Sequence, residues 1–149
     1  MMAAMRKLLA LVTLLLCGMP GIAAADTNLI VAGAWLREPP PGVDAAAAYL
    51  IVHNAGRSAV RLTGARSPLA RTVTLHESME SGGLSRMRPL TGIDLPVNGD
   101  IEFKPGGRHI MLQGLEHPLH PGDRVPLVLL FADGTKLSAA ALVVALDAH

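Results

Sequence analysis

Beyond its apolar leader the chain keeps three methionines, and all three fall in one stretch with two histidines: His76, Met79, Met87, His109 and Met111. In order the stretch runs His76, ten residues, Met87, twenty-one residues, His109, one residue, Met111. Thioether sulfur and imidazole nitrogen form a soft donor set. Such a set suits Cu(I) and matches Mg, Ca or Mn poorly, because those ions take oxygen. A thioether needs no deprotonation, so only the histidines make such binding sensitive to pH. Taken singly, each residue has an ordinary explanation, since methionine fills gaps in cores. Taken together they are harder to dismiss. At the composition of residues 26–149, with positions independent, this four-position spacing arises by chance on the order of once in ten thousand chains.

The elements that must position these residues read as strands. Short runs rich in Val, Ile, Leu and Thr alternate with turn residues. The expected strands are Leu29–Leu36, Ala46–Asn54, Ala59–Ala65, Thr72–Glu77, Ser85–Arg88, Asp100–Phe103, His109–Leu112, Val125–Phe131 and Leu137–Val144. Turn chemistry separates them, including Pro39-Pro40-Pro41-Gly42, Asn54-Ala55-Gly56, Ser81-Gly82-Gly83, Asn98-Gly99-Asp100 and Pro105-Gly106-Gly107. The pattern predicts one all-β domain, an antiparallel Greek-key sandwich or barrel. Ala45–Ala48 is compatible with a helix start, but Tyr49-Leu50-Ile51-Val52 pulls the segment toward strand. The four aromatics, Trp35, Tyr49, Phe103 and Phe131, read as core.

Alternation places His109 and Met111 on one strand face. It sends Arg86 and Arg88 to the face opposite Met87. His76 closes its strand before Ser81-Gly82-Gly83, so His76 and Met87 are expected to meet across a hairpin-like return. Met79 reads as an exposed loop residue, with an auxiliary sulfur ligand as the alternative. His117 and His120 flank Pro118 in a solvated turn, the alternative being a weak Cu(II) or Zn site. His53 reads as structural, and Glu77 and Glu80 are expected to keep the site hydrophilic.

Residues 1–25 read as a secretory signal peptide. Arg6 and Lys7 form the charged start, Leu8 to Cys17 the apolar segment, and Ala23 and Ala25 the small-x-small cleavage pattern. The mature domain is then 26–149, exported to the periplasm, with no membrane span after cleavage. A lipid anchor at Cys17 is disfavoured by bulky Leu16. Cleavage removes Cys17, the only cysteine, so the mature domain must fold without a disulfide. Losing Arg6 and Lys7 takes the formal charge from +1 to −1, which gives no basic excess for nucleic acid.

The spacing His-x10-Met-x21-His-x-Met, the strings VTLHESM, MRPL and KPGGRHIMLQGL, and the opening AWLREPPPGVDAAAAYLIVHNAG resemble the periplasmic copper chaperones called PCu(A)C. The resemblance covers most of residues 26–149. It implies a cupredoxin-like β-sandwich binding one Cu(I) per chain at an exposed site. The implied ligands are His76, Met87, His109 and Met111. It also implies delivery to the dinuclear copper centre in the copper-receiving subunit of cytochrome c oxidase, often beside a thioredoxin-fold copper protein, by a chain expected to be a monomer. Many members carry a His- and Met-rich tail that binds further copper; Leu146-Asp147-Ala148-His149 does not resemble one, so no tail-dependent Cu(II) role is expected.

The competing readings are a periplasmic copper-buffering or resistance protein and a β-sandwich assembly module without metal. An electron-transfer cupredoxin is nearly excluded, because blue-copper sites need a thiolate that the mature domain lacks. No nucleophile elbow, phosphate-cradling loop or cysteine nucleophile points to an enzyme.

Overall fold

The computed structural model describes residues 28–148. The expected signal peptide, its cleavage site before Asp26, and Cys17 lie outside the described residues. Ten strands are present: β1 Leu29–Arg37, β2 Ala45–Asn54, β3 Val60–Arg66, β4 Ala70–Ser81, β5 Leu84–Leu90, β6 Ile93–Leu95, β7 Asp100–Phe103, β8 Arg108–Leu115, β9 Arg124–Phe131 and β10 Lys136–Val144. They join in one sheet of order β5-β4-β8-β2-β1-β10-β9-β3-β6, with β7 also paired to β2. The all-β expectation holds, and Ala45–Ala48 is strand rather than helix. One pairing departs from a wholly antiparallel sheet, since β1 and β10 run parallel.

Period-two burial builds the core. On β2, Ala46, Ala48, Leu50 and Val52 are buried, while Ala45, Ala47, Tyr49 and Ile51 project from the other face. Val125, Leu127, Leu129 and Phe131 on β9 alternate in the same way. These side chains join Leu36, Leu62, Leu75, Ile101, Ile110 and Leu112 in a single core. Two of the four aromatics, Phe103 and Phe131, are core as expected. Trp35 and Tyr49 are not. They are half-buried on the outer face, ring centroids 4.7 Å apart, with the Arg37 guanidinium 5.9 Å from the Trp35 ring.

Two local features place the strands that matter for the site. At Gly82 and Gly83 φ is +61° and +76°, the two positive values a type I′ turn requires, and Ser81 pairs directly with Leu84. β4 and β5 are therefore a tight hairpin. β7 and β8 follow one another along the same edge of β2, β7 against Leu50–His53 and β8 against Ala45–Ala48. Between them the chain detours through Lys104-Pro105-Gly106-Gly107. The detour is closed by Lys104 N–H to Arg108 O at 2.9 Å and Gly107 N–H to Lys104 O at 3.0 Å. Gly106 takes φ +78°, a backbone state that L side chains avoid.

Candidate metal centre

β4 is flanked by β8 on one side and β5 on the other, and register alone decides which side chains share a face. His76 pairs with His109 and Thr74 with Met111 across β4 and β8. Ser78 pairs with Met87 across β4 and β5. Directly paired residues in an antiparallel ladder project from one face, as do residues two apart. Thr74, His76 and Ser78 therefore share a face of β4. His109, Met111 and Met87 join them from either side. All four residues singled out from the sequence lie on one face of the three-stranded unit β5-β4-β8.

The route differs from the expected one. His76 does not close its strand: β4 continues to Ser81, because β5 supplies ladder partners for Ser78 to Ser81. Met87 consequently stands opposite Ser78, and His76 opposite Pro89. Met87 and His76 are diagonal neighbours rather than a direct pair.

The histidine rings stack with centroids 5.6 Å apart and planes 13° from parallel. His109 is 5% exposed. Its Nδ1 lies 3.2 Å from the Gly107 carbonyl oxygen. A carbonyl only accepts, so Nδ1 carries the proton and Nε2 of the neutral ring presents a lone pair. That Nε2 is a buried side-chain polar atom without a hydrogen-bond partner, the one such atom among the described residues. Leaving it unpaired costs about 1–3 kcal/mol. An orphaned imidazole lone pair beside a second imidazole and two thioethers fits a soft metal ion. The Nδ1–H bonded to a backbone carbonyl is how metal-binding histidines are commonly oriented.

His76 has its Nδ1 3.1 Å from Thr74 Oγ1. Its pKa is pushed down, chiefly by burial and further by His109. Both effects favour the neutral ring that a metal needs. Exposure is graded across the set. His76 and Met111 are half-buried and Met87 is 61% exposed, so the site is closed at His109 and open at Met87.

The opposite face of the same strands carries charge. Glu77 accepts from Arg88 Nε and Nη2 at 3.0 and 2.6 Å, and Arg108 Nε lies 3.7 Å away. Of the two carboxylates expected to keep the site hydrophilic, strand alternation turns Glu77 away from the donor face, toward the arginines, and leaves Glu80 in phase with His76 and Ser78. Met79 is likewise a strand residue paired with Arg86, not a loop residue. It shares the face of Glu77, so alternation turns it away from the four donors and against the auxiliary-ligand alternative. His117 and His120 are exposed in the β8–β9 connection, and among the described residues no group of three or more His, Cys, Asp or Glu could hold a metal. His53 is structural, with its Nδ1 2.8 Å from Asp100 Oδ1.

Sequence reasoning missed Thr74 and the Gly107 carbonyl. Thr74 was recoverable from alternation, two residues before His76. A backbone acceptor carries no side-chain signal.

A family model described as an LpqE-like lipoprotein matches residues 29–143. The solution structure of CuI-DR1885 from Deinococcus radiodurans is 32% identical, with TM-score 0.61, covering 83% of this chain and 81% of that one. The chain belongs to the PCuAC family. The copper-bound PCuAC domain from PmoF2 matches this member of the family with TM-score 0.66 at 26% identity, covering 78% of this chain and 92% of that one. Among relatives compared by sequence, the lipoprotein Lxx21020 of Leifsonia xyli subsp. xyli is 34% identical over 106 residues. RP573 of Rickettsia prowazekii is 28% identical over 98 residues. The aligned parts span 63% and 52% of these two relatives' lengths. The cupredoxin-like β fold of PCuAC domains is the fold found here. Among the described residues no helix is long and apolar enough to cross a membrane.

Proposed function

We propose that this chain is a copper chaperone that binds one Cu(I) through His76, Met87, His109 and Met111 and performs no catalysis. The observation that carries the reading is the buried, unpartnered Nε2 of His109, on the same face as the other three donors. Two copper-containing PCuAC structures of the same fold support it. In the apo protein this face holds a lone pair at an energetic disadvantage, which a Cu(I) ion would relieve. A thioether cannot be lost to disulfide formation, although it can become a sulfoxide, so the site suits an oxidising compartment. The finer part of the proposal is export to the periplasm as a monomer, and delivery to the copper-receiving subunit of cytochrome c oxidase, with a thioredoxin-fold copper protein as a second partner.

Titration of the purified domain with Cu(I) against a competing chelator, repeated with Zn(II), tests the metal. One tightly held Cu(I) and weaker zinc are expected; tighter zinc binding, or no copper binding, overturns the proposal. Deleting the gene should lower oxidase activity when copper is scarce, with added copper restoring it. Unchanged activity at limiting copper would remove the delivery role and leave copper buffering.

A further inference from the structure

β5 ends the sheet: it pairs with β4 and with no other strand among the described residues. The direction of its free backbone groups follows from one hydrogen bond. Ser78 N–H donates to Gly107 O at 3.0 Å, toward β8. In an antiparallel ladder the backbone groups of successive residues point to alternate sides. Ser78 and Met87 are therefore a pair that exchanges no backbone hydrogen bonds, and the N–H and C=O of Met87 point outward. Ser85 does the same. Pro89, in the same phase, has no N–H to present, which shortens the usable edge to Ser85–Met87. An unpaired edge is a template for another strand.

The side chains along this edge are two-sided. Met87 is on the donor face, 61% exposed. Arg86 and Arg88 are exposed on the other face. Arg88 shares Glu77 with Arg108, and Arg86 has no ion-pair partner among the described residues. Two guanidiniums on one carboxylate, plus an unpaired third, leave this stretch positively charged. A second copy is a poor occupant. Two β5 strands paired antiparallel about Met87 would set Arg86 against Arg88 of the other copy, and directly opposed like charges are destabilising.

We propose that the open edge of β5 at Met87 is a docking strand for an extended acidic segment of the protein that exchanges copper with this chain. This rests on the copper reading above. The added strand pairs its central residue with Met87 through two backbone hydrogen bonds. It brings that residue's side chain, a soft donor such as methionine, onto the copper face. The residues on either side lie opposite Arg86 and Arg88, on the arginine face, and acidic side chains fit there. Backbone pairing supplies affinity and the arginines supply selection.

The test uses capped nine-residue peptides on the apo chain, so that it does not depend on copper binding. One peptide has a central Glu-Met-Glu flanked by Thr and Val, one has Lys-Met-Lys, and a third is the acidic peptide with its central methionine N-methylated. The acidic peptide should bind about tenfold more tightly than the basic one at low salt, the gap closing as salt rises. It should slow hydrogen exchange at the Met87 amide, and the N-methylated peptide should bind more weakly. Arg86→Glu, at an exposed position, should keep the fold and shrink or reverse the preference. Equal binding of acidic and basic peptides, or no slowing at the Met87 amide, overturns the proposal. So does a concentration-dependent dimer that protects that amide without peptide. Failure of the copper proposal would appear separately, in the Cu(I) titration alone.

Discussion

His76 and His109 face each other directly across β4 and β8, rings 5.6 Å apart and 13° from parallel. Burial, and then the neighbouring His109, lower the pKa of His76. Each ring is already engaged through Nδ1, by Thr74 and by the Gly107 carbonyl. The cross-strand pair thus arrives folded and oriented, before any ion is present.

His109→Leu separates binding from stability. The substitution deletes an unpaired buried nitrogen, whereas Gly107 O keeps its bond from Ser78 N–H. An apolar replacement at such a position is near neutral or stabilising. The apo protein should unfold at an equal or higher denaturant concentration, while Cu(I) affinity collapses. Loss of more than about 2 kcal/mol in a urea titration would show that the ring has a packing role instead.

The two methionines should respond differently in stability and alike in binding. Met87→Leu alters a side chain that is 61% exposed and should change stability by less than about 0.5 kcal/mol. Met111→Leu alters a half-buried one, and volume-conserving swaps usually cost under about 1.5 kcal/mol. Both should weaken Cu(I) binding measured by chelator competition. Normal binding by either variant removes that residue from the ligand set.

Glu77 should contribute to acid sensitivity. Its pKa is lowered from 4.5, first by the hydrogen bonds from Arg88 and then by the charges of Arg88 and Arg108. With the folded pKa below the unfolded one, the contribution is present above about pH 4.5. It is lost as pH falls through the folded value. Glu77→Gln should flatten the loss of stability in that acid window. An unchanged slope in denaturation midpoints against pH would contradict this.

Asn54 is a structural keystone away from the site. It is fully buried. Its Nδ2 donates to Ser58 O at 2.9 Å and Leu95 O at 3.3 Å, and its Oδ1 accepts from Gly56 N–H at 3.0 Å. Asn54→Ala leaves these backbone groups without partners and should cost about 2–3 kcal/mol. Copper binding by the fraction that stays folded should not change.

Much of this arrangement is written locally. The phase of His109 and Met111 follows from strand alternation, and Asp100–Phe103 has the bounds expected from the pattern. Positions 78–81 lack β-branched residues and read as loop, yet they are strand because β5 offers them partners. Ile93–Leu95 escaped notice because three residues hold too little periodicity, although Ile93 and Leu95 are buried and Asp94 is not. Trp35 and Tyr49 read as core by type but face outward, since the inward phase of β1 and β2 belongs to Leu36 and Leu50. The resemblance grouped His76 with His109, but their direct pairing was not legible. It joins strands separated by three others in sequence, and only the packed sheet fixes their relative shift.

The Gly82-Gly83 turn makes the count between His76 and Met87 a matter of parity. An inserted residue that left the turn two residues long would slip β5 by one position against β4 and rotate every β5 side chain to the opposite face. Met87 would then point toward the arginines, and Arg86 or Arg88 would point over the histidines, with no donor residue altered. A slip of two positions would return Met87 to its side, one rung displaced. A single-residue deletion at the turn would be as damaging to the site as losing the sulfur itself.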